Sequence, residues 1–336
     1  MKRPLLVAAL CAILSALSGF SADKAPRVEF IEPEGAGPDF LVQGEYSGEL
    51  TAADGSKKKL GAQIIACGGG AFHSAFFPGG LPGDGWDGQT KVEKTPAKQG
   101  NLPADSKTEG DKTVITQVYS GTISGETLSG ATDKGEKFEL KKVTRASPTI
   151  GAKPPEGAVV LFDGSSVDKW NGKMDERKLL KFGCSTKDKF KDFTFHIEFR
   201  MPFMPTSRGQ GRGNSGLYLQ NRYELQMLDS FGLAGDNNEC GGFYTLASPK
   251  PNMAFPPLTW QTYDIDFTMA KFDGEGKKTS NAVVTVKHNG VVIHDKLELA
   301  KSTGGGQKET PEGGAFQLQD HGDKVFYRNI WIVEKK

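Results

Sequence analysis

The chain has 336 residues, with 42 Lys and Arg against 41 Asp and Glu, a net charge of +1. That balance creates no field for nucleic acid or anionic lipid, so neither is expected as a partner. Forty-three Gly and 18 Pro, without long amphipathic heptads, point to strands and turns, and the length allows two domains.

Lys2 and Arg3, the apolar run Leu5 to Leu17 and the small residues that follow to Ala22 predict a signal peptide over 1–22. The run is too short to span a membrane, and no later stretch is apolar enough to cross one. No Cys closes the leader, so no lipid anchor is expected. The mature protein is expected to be exported, periplasmic or extracellular. Cys11 leaves with the leader. Cys67, Cys184 and Cys240 remain, which allows at most one internal bridge or simply buried thiols.

Residues 23–145 predict a small β domain, with strands at Gly44–Leu50, Leu60–Ala66, Phe72–Phe77, Thr113–Tyr119, Gly121–Gly125 and Lys137–Lys141. The polar stretch Lys91 to Asp111 reads as a mobile excursion. His73 is a lone histidine and reads as structural. Residues 146–157, with Pro154 and Pro155 adjacent, predict an extended linker.

From Ala158 the alternation sharpens. Phe193, Phe195, Ile197 and Phe199 take one face of a strand, opposite Thr194, His196, Glu198 and Arg200. Asn214 to Ser230 reads as two strands about a turn at Asn221–Arg222. Leu217 and Leu219 oppose Tyr218 and Gln220, and Tyr223, Leu225 and Met227 oppose Glu224 and Gln226. His288–Asn289–Gly290 between β-branched runs predicts a hairpin. Residues 158–336 are therefore expected to form an all-β sandwich or jelly roll of two antiparallel sheets.

If the apolar faces make the core, the opposite faces offer Glu198, Arg200, Tyr218, Glu224, Gln226, Gln317, Gln319 and His321, with Asp229 nearby. A carboxylate, carboxamides and a phenol in a row suit the binding of a carbohydrate, with Trp170, Tyr244, Trp260 and Tyr327 as candidate aromatic floor. Such faces equally suit a solvated surface, and His196, Glu198 and Arg200 read well as a surface salt-bridge ladder. The sequence requires no cofactor, and no carboxylate spacing supports a divalent metal, whose presence stays unknown.

Several stretches, taken in order, resemble the 3-keto-disaccharide hydrolase family. They are Leu161-Phe162-Asp163-Gly164 with Trp170, Asn214-Ser215-Gly216-Leu217-Tyr218, Tyr223 to Asp229, Trp260 with Tyr263, His288-Asn289-Gly290, and Leu318-Gln319-Asp320-His321-Gly322 through Tyr327-Arg328-Asn329-Ile330. The resemblance covers Ala158 to Lys336 and implies a concanavalin-like jelly roll. Members often carry a Cys after the Asn-Met pair where this chain has Ala254, so that partner for Cys240 is missing.

The implied activity cleaves glycosidic bonds of 3-keto-sugars by elimination and hydration, or by hydrolysis. It implies Glu224 and His321 as the base and the acid, in either order, with Gln226, Arg200 and Gln319 orienting hydroxyls; Arg328 is placed either to polarise the ketone or, by alternation, on the core side with Phe326 and Ile330. A two-carboxylate hydrolase would instead need Glu198 or Asp229 as second acid. The alternative is a non-catalytic, lectin-like carbohydrate-binding module, since one fold hosts both.

Overall fold

The computed structural model describes residues 27–336; the leader expected over 1–22 lies outside the described residues. The described residues are nearly all β, 45% strand against 3% helix. The first eight strands are β1 (Gly44–Thr51), β2 (Lys57–Gly68), β3 (Ala71–Pro78), β4 (Ser106–Glu109), β5 (Lys112–Thr116), β6 (Ser120–Ser124), β7 (Thr127–Ala131) and β8 (Lys137–Val143). They close into an antiparallel barrel, β8 pairing back onto β1. Tyr46, Ile64, Phe72, Phe76, Leu128 and Leu140 are fully buried and belong to its packed core.

The stretch 91–111 is not a free excursion. Val92 pairs with Phe76, Ala97 is buried, and β4 lies within it. Its Glu93 Oε2 sits 3.0 Å from His73 Nε2, while Pro103 O lies 2.8 Å from Nδ1. His73 is thus the structural histidine expected, and its contacts fasten a stretch whose polar composition masked two apolar anchors.

The remaining strands are β9 (Val159–Phe162), β10 (Trp170–Asn171), β11 (Leu180–Lys181), β12 (Cys184–Thr186), β13 (Phe193–Arg200), β14 (Asn214–Leu219), β15 (Tyr223–Leu228), β16 (Trp260–Thr268), β17 (Lys271–Phe272), β18 (Lys278–Ser280), β19 (Ala282–His288), β20 (Val291–Leu299), β21 (Gln317–Leu318) and β22 (Phe326–Glu334). One sheet has five strands in the order β10-β12-β21-β14-β15. The other runs β11-β22-β13-β16-β19-β20, with β9 also on β22. Strands β17 and β18 form a separate hairpin.

The alternating apolar residues of both sheets meet between them. Phe193, Phe195, Ile197 and Phe199 of β13 pack into one buried cluster with Leu217, Leu219, Leu225 and Met227 of β14 and β15. Phe316 stacks on Phe195 with ring centroids 4.4 Å apart. Each such side chain stabilises the fold by about 1.5–3 kcal/mol through burial.

The β14–β15 turn falls one residue earlier than expected. Gln220 and Asn221 take positive φ (55° and 57°), and Arg222 N donates to Leu219 O at 3.0 Å. The β19–β20 hairpin turns on Asn289 and Gly290, as the Asn-Gly pair requires (φ 50° and 80°). The stretch 146–157 is no spacer. Thr149 Oγ1 donates to Asp264 Oδ2 at 2.7 Å, Gly151 N to Glu198 Oε1 at 2.6 Å, and Asn329 Nδ2 to Ala152 O at 3.1 Å. It lies along the outer face of the larger sheet.

Candidate functional site

The five-stranded sheet turns its apolar side chains to the core, so its other face collects polar ones. Tyr218 of β14 lies opposite Glu224 of β15 on one side and Gln317 of β21 on the other. Ser185 of β12 lies opposite Gln317. Beyond β15, Tyr244 N donates to Glu224 O at 3.0 Å, and the buried Phe243 alternates with Tyr244, which is half-buried on the Glu224 side. A second row holds Gln319, whose N donates to Gly216 O at 2.9 Å, then Gly216 and Gln226.

Glu224 is the centre of this face. It is only 3% exposed. Its Oε2 accepts from Tyr218 Oη at 2.8 Å, and Tyr218 Oη lies 3.4 Å from Gln319 Nε2 and from Gly304 O. Its backbone N donates to Thr303 Oγ1 at 2.8 Å, so the Gly304-Gly305-Gly306 run lies beside the Tyr218–Glu224 pair. Gly216 provides the room for the carboxylate: a Cβ there would lie 2.9 Å from Glu224 Cγ and 3.0 Å from Cδ, and against Oε1.

Burial pushes the Glu224 carboxyl up to about 7, against the lowering effect of the Tyr218 hydroxyl. Burial likewise raises the Tyr218 phenol, with the Glu224 charge adding to it. A carboxyl poised near neutrality can take a proton in one step and return it in the next. Gln226 Oε1 and Gln319 Oε1 have no protein partner and are free to accept from hydroxyls.

The sequence pattern of the 3-keto-alpha-glucoside-1,2-lyase-like domain matches residues 157–333, just over half of the chain. The chain belongs to this family. Among solved structures it is similar to a candidate glycosyl hydrolase from Parabacteroides distasonis. The two are 33% identical over 54% of this chain and 85% of that one, with a TM-score of 0.50. Another candidate glycosyl hydrolase from the same organism is 17% identical over 54% of this chain and 95% of that one, with a TM-score of 0.40. No curated protein matches the chain at a significant level.

The 3-keto-alpha-glucoside-1,2-lyase-like domain brings together Tyr218, Glu224, Gln226, Gln319 and Tyr244. His321 follows Gln319 by two residues, exposed in the turn where Gly322 N donates to Asp320 Oδ1 at 2.9 Å. Glu198 and Arg200 are elsewhere. They sit on the larger sheet, on the face turned away from the core, so the whole core separates them from Glu224. Arg200 Nη2 pairs with Glu32 at 2.7 Å and lies over Trp260. Arg328 also lies over Trp260 and donates to Glu198 Oε2 at 2.6 Å, so it does not reach a ketone at Glu224. Asp229 is consumed by Arg212 Nε at 2.7 Å. Of the proposed floor, Trp170 and Tyr327 are core residues and Trp260 is on the far sheet; Tyr244 alone borders the polar face.

Burial alone would raise the Glu198 carboxyl, but the neighbouring His196 imidazole and hydrogen bonds from Asn329, Gly151 N and Arg328 outweigh it and hold it down at about 2. Its work is structural. Glu198→Ala is expected to destabilise by about 1–2 kcal/mol, because it leaves three donors at this face without their acceptor. Wild type should keep that advantage above about 4.5 and lose it as pH falls towards about 2, read by thermal melts across that range.

Two contributors escaped the sequence reading. Gln210 accepts from Gln226 Nε2 and Asn214 Nδ2, each at 3.0 Å, and Thr303 holds the Glu224 backbone. The Arg-Gly-Gln-Gly-Arg run and the triple glycine were the signals for loops over a site. Among the described residues no group of three or more His, Cys, Asp and Glu side chains is placed to hold a metal ion. A cleft of about 380 Å³ opens at the barrel–sandwich seam, lined by Gln43, Glu45, Lys142, Arg145 and Leu258 among others. Its ion pair is already matched, Arg145 donating to both oxygens of Glu45 at 2.6 and 2.5 Å. The chemistry therefore favours Glu224 over the roomier cleft. Cys67, Cys184 and Cys240 are all free thiols.

Proposed function

We propose that the protein is an exported enzyme that cleaves glycosidic bonds of 3-keto-glycosides, with Glu224 as its acid–base group. The observation that carries this is the sequestered carboxyl at about 7, hydrogen-bonded to Tyr218 within a row of amides and phenols. Membership of the family and likeness to a candidate glycosyl hydrolase support a carbohydrate as substrate. The basic start and apolar run of residues 1–22, read in the sequence as a leader, support export.

A ketone at C3 acidifies the C2 proton. Glu224, ionised, takes that proton, and the C1–C2 double bond forms as the C1–O bond breaks. The leaving oxygen takes a proton from His321, exposed two residues beyond Gln319. Water then adds across the double bond: its oxygen bonds C1, the proton it sheds returns to His321, and C2 takes a proton from the protonated Glu224. Gln226 and Gln319 hold the sugar hydroxyls, and Tyr218 keeps the carboxyl oriented. No oxidant is consumed, because the ketone is already present in the substrate.

The test is sugar release from a 3-keto-disaccharide beside its unoxidised parent. Release is expected from the ketone alone, since only it has an acidic C2 proton. Equal release from both would indicate ordinary hydrolysis, and binding of either without release would indicate a lectin-like module.

A further inference from the structure

The family match begins at residue 157 and leaves the barrel without a role. Yet the barrel's 91–105 stretch grips the two loops that border the polar face. Gln99 Nε2 donates to Asn238 O at 2.9 Å, and Gln99 Oε1 accepts from Asn238 Nδ2 at 2.7 Å. This pair of hydrogen bonds fixes both amides. Gln210 Nε2 donates to the same Asn238 O at 2.9 Å, and Gln210 Oε1 accepts from Gln226 and Asn214. A second anchor runs from Lys91 Nζ to Gly232 O at 2.8 Å. Gly209 and Gly100 lie side by side where the two stretches meet, a Cβ on Gly209 falling in ordinary contact 3.5 Å from Gly100 Cα.

Gln226 lies two residues along β15 from Glu224, about 7 Å at the rise of a strand. That is roughly one pyranose ring. Gln99, Gln210 and Asn238 are half-buried at the seam, while below them Gln226 Oε1 and Asn214 Oδ1 are buried without a protein partner. A rim of fixed amides suits a second hydroxyl-rich ring.

We propose that the barrel is part of the substrate site: Gln99 positions the amide rim that holds the second ring of a disaccharide whose first ring lies at Glu224. This rests on the glycoside reading above. It makes Gln99 a positioning residue for substrate length, and assigns the barrel the selection of disaccharides over simple glycosides.

The full-length Glu224→Gln protein, which should bind without turnover, is titrated calorimetrically with a 3-keto-disaccharide and with methyl 3-keto-glucoside. Adding Gln99→Ala is expected to weaken disaccharide binding by about two- to tenfold, as loss of a hydrogen-bonded position does. Binding of the methyl glycoside should not move, which a general loss of structure could not produce. Gln99→Glu, which keeps the side-chain length but removes the donor to Asn238 O, should show the same selectivity if the alanine variant proves unstable. Equal weakening of both sugars, or of neither, overturns the inference and leaves the Glu224 site standing. A parent protein that binds neither sugar sinks both.

Discussion

Glu224→Gln is expected to lower sugar release from a 3-keto-disaccharide by at least about a hundredfold, the scale of losing a positioned acid–base group. The amide keeps the carboxyl's shape and can still accept from Tyr218 Oη, but it cannot carry a proton. The same change has an opposite signature in stability. The folded state raises the Glu224 carboxyl from 4.5 to about 7, so it holds the proton more tightly than the unfolded chain does. That stabilisation is fully present below about 4.5 and is lost as pH rises through about 7. Above that, the ionised carboxylate costs wild type about 3 kcal/mol that the amide does not cost. The variant should therefore gain on wild type between pH 4 and pH 8 in thermal melts. Wild-type turnover in Glu224→Gln would remove the residue from the chemistry. An unchanging stability difference across that pH range would mean the carboxyl titrates at its ordinary value.

Gly216→Ala is the second large effect. No positive φ is needed at this glycine; what it provides is space for the Glu224 side chain. The added methyl meets Glu224 Cγ at 2.9 Å and Cδ at 3.0 Å, and what must move is the carboxylate. Displacing it breaks the 2.8 Å bond from Tyr218 and turns the acid–base group away from its row. Turnover is expected to fall by about a hundredfold, since a misplacement of about 1 Å is enough for that. The strand pairing of β14 with β15 and β21 should persist, so circular dichroism should be unchanged. An alanine variant with wild-type kcat and KM would show that the position of Glu224 does not matter.

Alternation told which face each side chain takes, and it held for Leu217 against Tyr218 and for Leu225 against Glu224. It carries no information about which sheet a strand joins. Strands β13 and β14 are neighbours in the chain but lie in opposite sheets, so Glu198 and Arg200 ended with the core between them and Glu224. Alternation also fails at irregularities. The β13–β22 register shifts between His196 and Glu198, and Asn329 of β22 takes φ 45°. Tyr327 and Ile330 therefore both point inward although they are an odd number of residues apart, and Arg328 points out to Glu198. Two-residue strands such as β10 offer no period to read, which is why Trp170 passed for a site residue when its Nε1 in fact donates to Leu161 O at 3.0 Å in the core. The close lie of 146–157 on the larger sheet depends on partners that stand many residues away, such as Asp264 for Thr149 and Asn329 for Ala152.

The most direct measurement is exchange of the C2 hydrogen of a 3-keto-glycoside for deuterium, followed by NMR in heavy water. With wild type, the C2 signal should disappear with a rate that rises through pH 7 as Glu224 ionises, and Glu224→Gln should leave the signal at the uncatalysed rate. Exchange in Glu224→Gln at the wild-type rate would contradict the assignment of this buried carboxyl as the proton acceptor.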